Sequence, residues 1–140
     1  MAEKSRAAEF IDALSRLEAS GELDPIVAMF DPAAEIGNPL TPHPLRGQAG
    51  VREFWASYRS TLGPIRSEFR AIIEAGSSAA LEWTSRGNAP GGGELVYSGV
   101  SVLEFVGDKI RRFQAYFDPR ALGRELEQPA EAQEAGSGAV

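Results

Sequence analysis

The first half of the chain has the hydrophobic spacing of amphipathic helices. In residues 4–19 the apolar positions follow one another at steps of three and four, and they are Ala7, Phe10, Ile11, Leu14 and Leu17. Gly21 is expected to end this helix, because glycine readily adopts the backbone conformation that closes a helix. A second, shorter helix is predicted over 23–30 and a third over 48–62, where the helical spacing returns.

The second half of the chain changes to a period of two, which is typical of β-strands. Before the change, residues 33–38 are predicted to be a short extended segment and 39–47 an irregular loop, because its prolines remove backbone donors. Alternating apolar positions then predict strands at 66–75, 78–87, 94–106 and 109–118. Helices followed by an antiparallel meander indicate an α+β fold in which the helices cover one face of a curved sheet.

The two faces of the longest predicted strand differ in character. The odd positions between 95 and 105 are mostly bulky and apolar, so this face should point to the core. The even positions are smaller and mixed, and they include Val96, Val100 and Val102. This valine-containing face predicts that a second sheet packs on it, most simply the sheet of another copy of the chain. We therefore expect a homodimer formed through the sheet.

Composition limits the domain organisation and the available chemistry. With 140 residues, 43% of them hydrophobic, the chain can bury one core, and we assign residues 1–126 to a single domain. Residues 127–140 are small and acidic, and they are predicted to be a disordered tail. Because the chain has no cysteine and one histidine, it lacks thiol nucleophiles and clusters of thiolate or imidazole ligands. Neither a metal nor a cofactor is predicted.

Charge and hydropathy narrow the classes of partner. A net charge of −6 argues against phosphate backbones and anionic lipid surfaces as partners. The first ten residues are charged and polar, whereas a secretion signal has an apolar centre, and no apolar run approaches the ~20 residues of a membrane span. The expectation is a cytoplasmic protein with no nucleic-acid or membrane partner.

Three neighbouring segments carry a resemblance to a known family. They are GELDPIVAMF at 21–30, the loop PLTPHPLRG at 39–47 and the helical segment GVREFWASY at 50–58. Together with weaker similarity over 99–118, they resemble the ketosteroid isomerase group of the nuclear-transport-factor-like superfamily, which includes the SnoaL-like polyketide cyclases and the limonene-epoxide hydrolases. The resemblance implies a cone of three helices packed on a strongly curved antiparallel or mixed sheet, with an apolar cavity between them.

The resemblance also indicates which residues stand where this superfamily has its catalytic groups. The isomerases need a carboxylate base, and a tyrosine and a protonated aspartic acid that bind the dienolate oxygen. The corresponding positions here hold Asn38, Leu14 and Ser101. Where the epoxide hydrolases have an Arg and Asp pair, the middle strand offers Trp83 and Ser85. Where hydrolases and cyclases have an acid, the last strand offers Ala115. The resemblance thus supports the fold and the cavity but argues against these three chemistries.

Aromatic side chains are the expected walls of the cavity. Those that could stack on a flat ligand are Phe54, Trp55, Trp83, Phe113 and Phe117. The alternative is ordinary core packing, which we favour for Phe54. The indole nitrogens of Trp55 and Trp83 need hydrogen-bond partners, so both interpretations stay open for these two residues.

Polar candidates are few. Asn38 either faces the cavity or forms a turn before Pro39. His43 lies between two prolines. It is either an exposed loop residue or an acid–base group over the cavity mouth, since histidine is the residue type whose charge changes near neutral pH. Tyr97 lies on the apolar face of its strand and could supply a hydroxyl donor. Glu82 and Glu104 should point away from the cavity, because side chains alternate between the faces of a strand.

These features favour a pocket protein that binds a flat hydrophobic small molecule of the steroid, polyketide or terpenoid type. One alternative is an enzyme of the same fold, an isomerase, cyclase or hydratase, that uses His43, Tyr97, Asn38 and Ser101. Another alternative is a dimerising assembly module whose cavity is filled. The cavity discriminates between them. A pocket of several hundred Å³ that contains Asn38 and Ser101 favours the first two interpretations, and one that His43 or a buried carboxylate also reaches favours the enzyme. A collapsed interior favours the assembly module.

Overall fold

Three helices and six strands make up the part of the chain that the structure describes. The structure, a computed structural model, describes residues 5–89 and 91–120, so the tail predicted for 127–140 lies outside the described residues. The helices are α1 (Arg6–Ser20), α2 (Asp24–Val27) and α3 (Gly47–Leu62). The strands are β1 (Phe30–Gly37), β2 (Leu45–Arg46), β3 (Ile65–Ala75), β4 (Ser78–Asn88), β5 (Glu94–Val106) and β6 (Lys109–Phe117). Among the described residues, no helix combines the length and the apolar character that crossing a membrane requires.

The strands form one mixed sheet in the order β2-β1-β6-β5-β4-β3. Strands β3 to β6 follow one another as antiparallel neighbours, whereas β1 pairs in parallel with β6. The register places Trp83, Gly99 and Phe117 side by side across β4, β5 and β6. The predicted α+β fold, with helices before a meander, is confirmed.

The ends of α1 follow from its sequence. The Ser5 hydroxyl accepts a hydrogen bond from the backbone N–H of Ala8 at 3.0 Å, which satisfies one of the donors left free at a helix start. Gly21 has a φ of 82°, and its N–H donates to the carbonyl of Leu17, so the helix closes as the sequence predicts. The buried residues of α1 form one stripe, and they are Ala7, Phe10, Ala13, Leu14, Leu17 and Glu18.

The second helix is shorter than its hydrophobic pattern predicts. It ends at Val27, and Phe30 begins β1. Phe30 is buried and pairs with Ile110 of β6, and the N–H of Ile110 donates to the carbonyl of Met29. Pairing in the sheet therefore decides the conformation of these residues over their helical spacing.

The helices pack on one face of the sheet. The buried side chains there form two separate groups, each of residues in mutual contact. The larger group joins α1, α2 and α3 to β1 and to parts of β4, β5 and β6. The smaller group lies at the other end of the sheet and consists of Leu62, Ile65, Trp83, Leu95 and Tyr97. Tyr58, Phe69 and Phe117 border both groups. The space between the two groups is where the cavity described below opens.

The opposite face of the sheet leaves several large apolar side chains exposed. Val100 and Tyr116 are neighbours across β5 and β6, and both are exposed. Ile73 of β3, which pairs with Ala80 of β4, is also exposed on this face. The even positions of β5 thus lie on the outer face, as the alternation predicts.

Candidate ligand-binding site

A cavity of about 290 Å³ lies between α1, α3 and the inner face of the sheet. Its walls are largely aromatic, with contributions from Phe10, Phe54, Trp55, Tyr58, Phe69, Trp83, Tyr97, Phe113 and Phe117. The loop from Asn38 to Leu45 borders it as well. Such a volume with mostly apolar walls is close to the lower end of the range of small-molecule sites.

Every residue predicted for the site lines this cavity. From the helices and the loop these are Leu14, Asn38, His43, Phe54 and Trp55, and from the strands Trp83, Tyr97, Ser101, Phe113, Ala115 and Phe117. Glu82 and Glu104 are exposed and are not part of the wall, in agreement with their predicted orientation. Whether these residues contact a ligand stays a prediction.

A hydrogen bond holds the Trp83 ring in place, and the glycine opposite it on β5 leaves room for the ring. Its Nε1 donates to the Ser101 hydroxyl at 2.9 Å. Its ring covers Gly99, its neighbour on β5, and packs edge-on against Tyr97 at a centroid distance of 5.2 Å. Trp83 therefore presents a rigid ring to the cavity, and Ser101 serves as the partner of its indole.

Trp55 stands at the centre of an aromatic cluster. Its ring lies 4.9 Å from that of Phe54, 5.3 Å from Phe113 and 5.4 Å from Tyr58, each in an edge-on arrangement. Its Nε1 is buried, and within residues 5–89 and 91–120 it has no hydrogen-bond partner. A buried donor without a partner costs about 1–3 kcal/mol, so this part of the wall is held by ring packing alone.

Behind the cavity wall lies a buried carboxylate that sequence reasoning missed. Glu18 of α1 is only 2% exposed. Its Oε2 accepts hydrogen bonds from the Tyr58 hydroxyl at 2.7 Å and from the Ser67 hydroxyl at 2.6 Å, and its Oε1 accepts from the Ser67 backbone N–H at 3.0 Å. The Ser67 and Ser85 hydroxyls lie 2.6 Å apart. We call Glu18, Tyr58, Ser67, Ser85 and Tyr97 the Glu18 network; all but Glu18 line the cavity.

Burial dominates the electrostatics of this network. It raises the pKa of Glu18, although the hydrogen bonds from Ser67 and Tyr58 oppose the shift. It raises the pKa of Tyr58 far above the usual value, and the negative charge of Glu18 adds to this effect. The pKa of Tyr97 rises for the same two reasons, in the same order. Both phenols are therefore protonated at neutral pH.

The sequence contained a signal for Glu18. It follows Leu14 by four residues and Leu17 by one, so it belongs to the buried stripe of α1 and not to the exposed face. A charged residue in such a stripe needs partners at its head group. Its partners come from α3 and β3 and are far away in the chain, so their identity could not be predicted.

The loop between β1 and β2 places two candidate residues at the opening of the cavity. Asn38 Oδ1 accepts a hydrogen bond from the N–H of Leu40 at 2.8 Å, which is the turn expected of an asparagine before proline. Asn38 also lines the cavity, so both interpretations of this residue hold. His43 is exposed and lines the cavity, as does Glu53 of α3.

A comparison with protein-family models matches the SnoaL-like domain over residues 7–113. The chain belongs to this SnoaL-like family. The match covers the helices and strands of the described chain apart from Arg6, the first residue of α1, and the end of β6. Membership of the SnoaL-like family places the protein in the ketosteroid isomerase-like part of the nuclear-transport-factor-like superfamily, as the sequence resemblance implied. No curated protein sequence matches the chain.

Solved structures share the SnoaL-like fold at low sequence identity. TerC, co-crystallised with polyporic acid, is 23% identical, with a TM-score of 0.75 over 88% of this chain and 99% of TerC. A candidate polyketide cyclase of Acidithiobacillus ferrooxidans is 19% identical, with a TM-score of 0.73 over 92% and 99% of the two chains. A ketosteroid isomerase-like protein of Catenulispora acidiphila, in complex with trimethylamine, is 14% identical, with a TM-score of 0.74 over 88% and 95%. At these identities, the likeness establishes the fold of this SnoaL-like protein.

Proposed function

We propose that this SnoaL-like protein binds a flat, mostly apolar small molecule of the polyketide, steroid or terpenoid type in its aromatic cavity. The carrying observation is the cavity itself, about 290 Å³ between rings that hydrogen bonds and edge-on packing hold in place. Each apolar contact there removes surface from water, at about 25 cal/mol per Å². TerC, a protein of the same fold, was crystallised with polyporic acid, which supports a small-molecule role.

The polar groups of the cavity favour binding over the isomerase reaction of the superfamily. The positions that resemble the isomerase base, tyrosine and aspartic acid hold Asn38, Leu14 and Ser101, and all three line the cavity. The Asn38 amide is not basic enough to take up a proton, and the Leu14 side chain has no hydrogen-bond donor. The Ser101 hydroxyl accepts the indole N–H of Trp83 and keeps its own hydrogen to donate, but a donor without a base does not transfer the proton. The cavity therefore suits a ligand that is held rather than isomerised by this route.

The test is stabilisation by ligands, with a variant that fills the cavity. Ala115 lines the cavity, so Ala115→Leu should occupy ligand space, whereas Ala49→Leu makes the same change at an exposed position of α3. A steroid, polyketide or terpenoid at 100 times its dissociation constant should add about 2.7 kcal/mol to wild-type stability, and the same to Ala49→Leu. Quenching of Trp55 and Trp83, the two tryptophans of the chain, reports occupancy independently.

Loss of the ligand effect in Ala115→Leu alone would support binding in this cavity. Equal stabilisation of both variants would place the ligand elsewhere and contradict the proposal. A library in which no flat apolar compound stabilises the wild type would contradict it as well.

A second candidate function is catalysis by the same fold, and the observation that favours it is the position of His43. This residue is the only histidine of the chain, and it lines the cavity at the opening, where imidazole could exchange protons with a ligand and with water. Compounds that bind should then be converted by the wild type and not by His43→Gln. Mass spectrometry detects the conversion. A compound that binds but is not converted would support the pocket-protein function over catalysis.

A further inference from the structure

The direction of the hydrogen bonds in the Glu18 network follows from the chemistry of its groups. A carboxylate accepts hydrogen bonds and donates none. The Tyr58 and Ser67 hydroxyls must therefore both donate to Glu18 Oε2, at 2.7 Å and 2.6 Å. A hydroxyl has one hydrogen, so neither side chain keeps a donor for any other partner. Tyr97, which is hydrogen-bonded to Tyr58, must then donate to the Tyr58 oxygen, so its hydrogen is used within the network as well.

The same reasoning fixes the role of Ser85. Its hydroxyl lies 2.6 Å from that of Ser67, and the distance alone permits either one to donate. Because the hydrogen of Ser67 already goes to Glu18, Ser85 must donate to Ser67. Ser85 is buried and lines the cavity, so only its oxygen lone pairs remain for a ligand.

We propose that the wall formed by Tyr58 and Ser85 is a hydrogen-bond acceptor site, and that the cavity selects flat ligands with a hydroxyl or N–H donor at this end, such as phenols and enols. The inference rests on the proposed function and specifies the polar group of the ligand. Glu18 is a positioning residue here: it lies behind the wall and determines where the hydrogens of the wall residues point.

Protonation of Glu18 reverses this preference. A neutral carboxyl group has a hydrogen to donate, and the Ser67 oxygen is 2.6 Å away. When Ser67 accepts that hydrogen, its own hydrogen turns to Ser85, and the hydrogen of Ser85 becomes available to a ligand carbonyl or ether. Burial raises the pKa of Glu18 and so brings the reversal closer to neutral pH.

The ionisable groups nearest to Glu18 do not change the effect of its protonation on the hydrogen bonds. Tyr58 and Tyr97 face the carboxylate from α3 and β5, and their raised pKa values keep them neutral. Arg59 of α3 directs its guanidinium to the carbonyls of Leu17 and Ala19, at 3.0 Å and 3.5 Å. Among the described residues, Glu18 therefore titrates against hydroxyl partners and not against an ion-pair partner.

Other ionisable groups lie on the cavity wall or beside the network, and the test must control for them. His43 and Glu53 line the opening and belong to no part of the network. On β3, Arg66 and Glu68 flank Ser67, but both are exposed, and they pair with each other at 3.6 Å.

The experiment compares two probes that differ in one hydrogen-bond donor. We choose 2-naphthol and its methyl ether, 2-methoxynaphthalene, which have the same flat ring system. A phenol ionises near pH 10, so neither probe changes charge between about pH 4 and pH 8, a range that begins below the ordinary pKa of a glutamate. Isothermal titration calorimetry gives both dissociation constants at each pH, and their ratio removes any effect of pH on the cavity that is common to the two probes.

The expected result is a preference for 2-naphthol that grows by roughly 3- to 10-fold from the low to the high end of this range, which is the worth of one hydrogen bond. In Glu18→Gln the preference should be independent of pH. Ser85→Ala, which keeps the carboxylate but removes the hydroxyl that faces the ligand, should also show no pH-dependent preference. Glu68→Gln, which removes an exposed carboxylate beside Ser67 outside the cavity wall, should behave as the wild type does.

A merely structural Glu18 would leave the ratio independent of pH in the wild type, and that result would overturn the proposal. A wild-type profile retained in Glu18→Gln or in Ser85→Ala would also overturn it. If neither probe bound at any pH, the failure would be that of the proposed function itself. If both bound with a constant ratio, only the acceptor site would be refuted.

Discussion

Substitution of Gly99 by alanine tests the packing that holds the Trp83 ring in the cavity wall. A Cβ atom at residue 99 would lie 2.7 Å and 2.9 Å from Cζ2 and Cη2 of Trp83, and it would also contact the carbonyl oxygen of Tyr116 on β6. All three contacts are shorter than real Cβ atoms show, and the one to the Tyr116 carbonyl can be relieved only by a shift of the backbone. Gly99 has no positive φ, so the effect of the substitution comes from the contacts and not from backbone strain.

The size of the effect can be worked out from these contacts. An inserted methyl group in a well-packed core costs about 1–3 kcal/mol. Displacing the indole also breaks the 2.9 Å hydrogen bond from Trp83 to Ser101, at about 0.5–1.5 kcal/mol. We expect Gly99→Ala to lower the free energy of unfolding by about 2–4 kcal/mol, a large part of the total stability of a small domain.

Urea unfolding followed by far-ultraviolet circular dichroism measures this change. The control is Gly93→Ala, at the start of the same hairpin arm, where a Cβ meets no atom within 4 Å and φ is not positive. The control should differ from the wild type by no more than about 0.5 kcal/mol. If Gly99→Ala proved as stable as Gly93→Ala, the close approach of Trp83 to β5 would be wrong, and with it the arrangement of this cavity wall.

Three other perturbations test the remaining interpretations. Val100→Glu should weaken self-association, since it places an unpaired charge in the proposed contact between sheets; a wild type that sediments as a monomer at micromolar concentration would contradict the homodimer. Because burial raises the pKa of Glu18 above 4.5, the native state binds more protons than the unfolded state in the window above that pH, and stability should fall as pH rises through it. Glu18→Gln should lack this decline. Urea unfolding at each pH measures it, and the same change of unfolding free energy with pH in both proteins would refute the raised pKa of Glu18. Finally, the protein should show little or no isomerisation of a β,γ-unsaturated ketosteroid by absorbance, because the Asn38 amide is no base; turnover at ordinary enzyme rates would contradict this.

Periodicity was sufficient to predict the helices and strands whose residues face a single core. The predicted strand at 94–106 coincides with β5, because its alternating Leu95 and Leu103 have an unambiguous inner face. The end of the second helix was wrong, because Phe30 satisfies helical spacing and strand pairing equally well. Only the partner strand β6, which comes last in the chain, decides between them.

The cavity wall and the network behind it differ in how far the sequence could predict them. Trp83 and Tyr97 could be placed from strand alternation alone. The bonds from Tyr58 and Ser67 to Glu18 link α3, β3 and α1, and no local pattern specifies such distant pairs. A charged residue on a buried stripe was the available signal, and it predicts that partners exist without saying which ones.

The parallel pairing of β1 with β6 sets the order in which this chain can fold. Strands β3, β4 and β5 form hairpins with their neighbours in the chain, whereas Phe30 must find Ile110. Pairing of distant segments is slow, because the entropy of closing the long loop is lost before the contacts form. During synthesis β1 therefore remains an open edge, and the core beneath α1 and α3 stays incomplete until 109–117 has left the ribosome. Folding of this domain should therefore be limited by the docking of its first strand against its last.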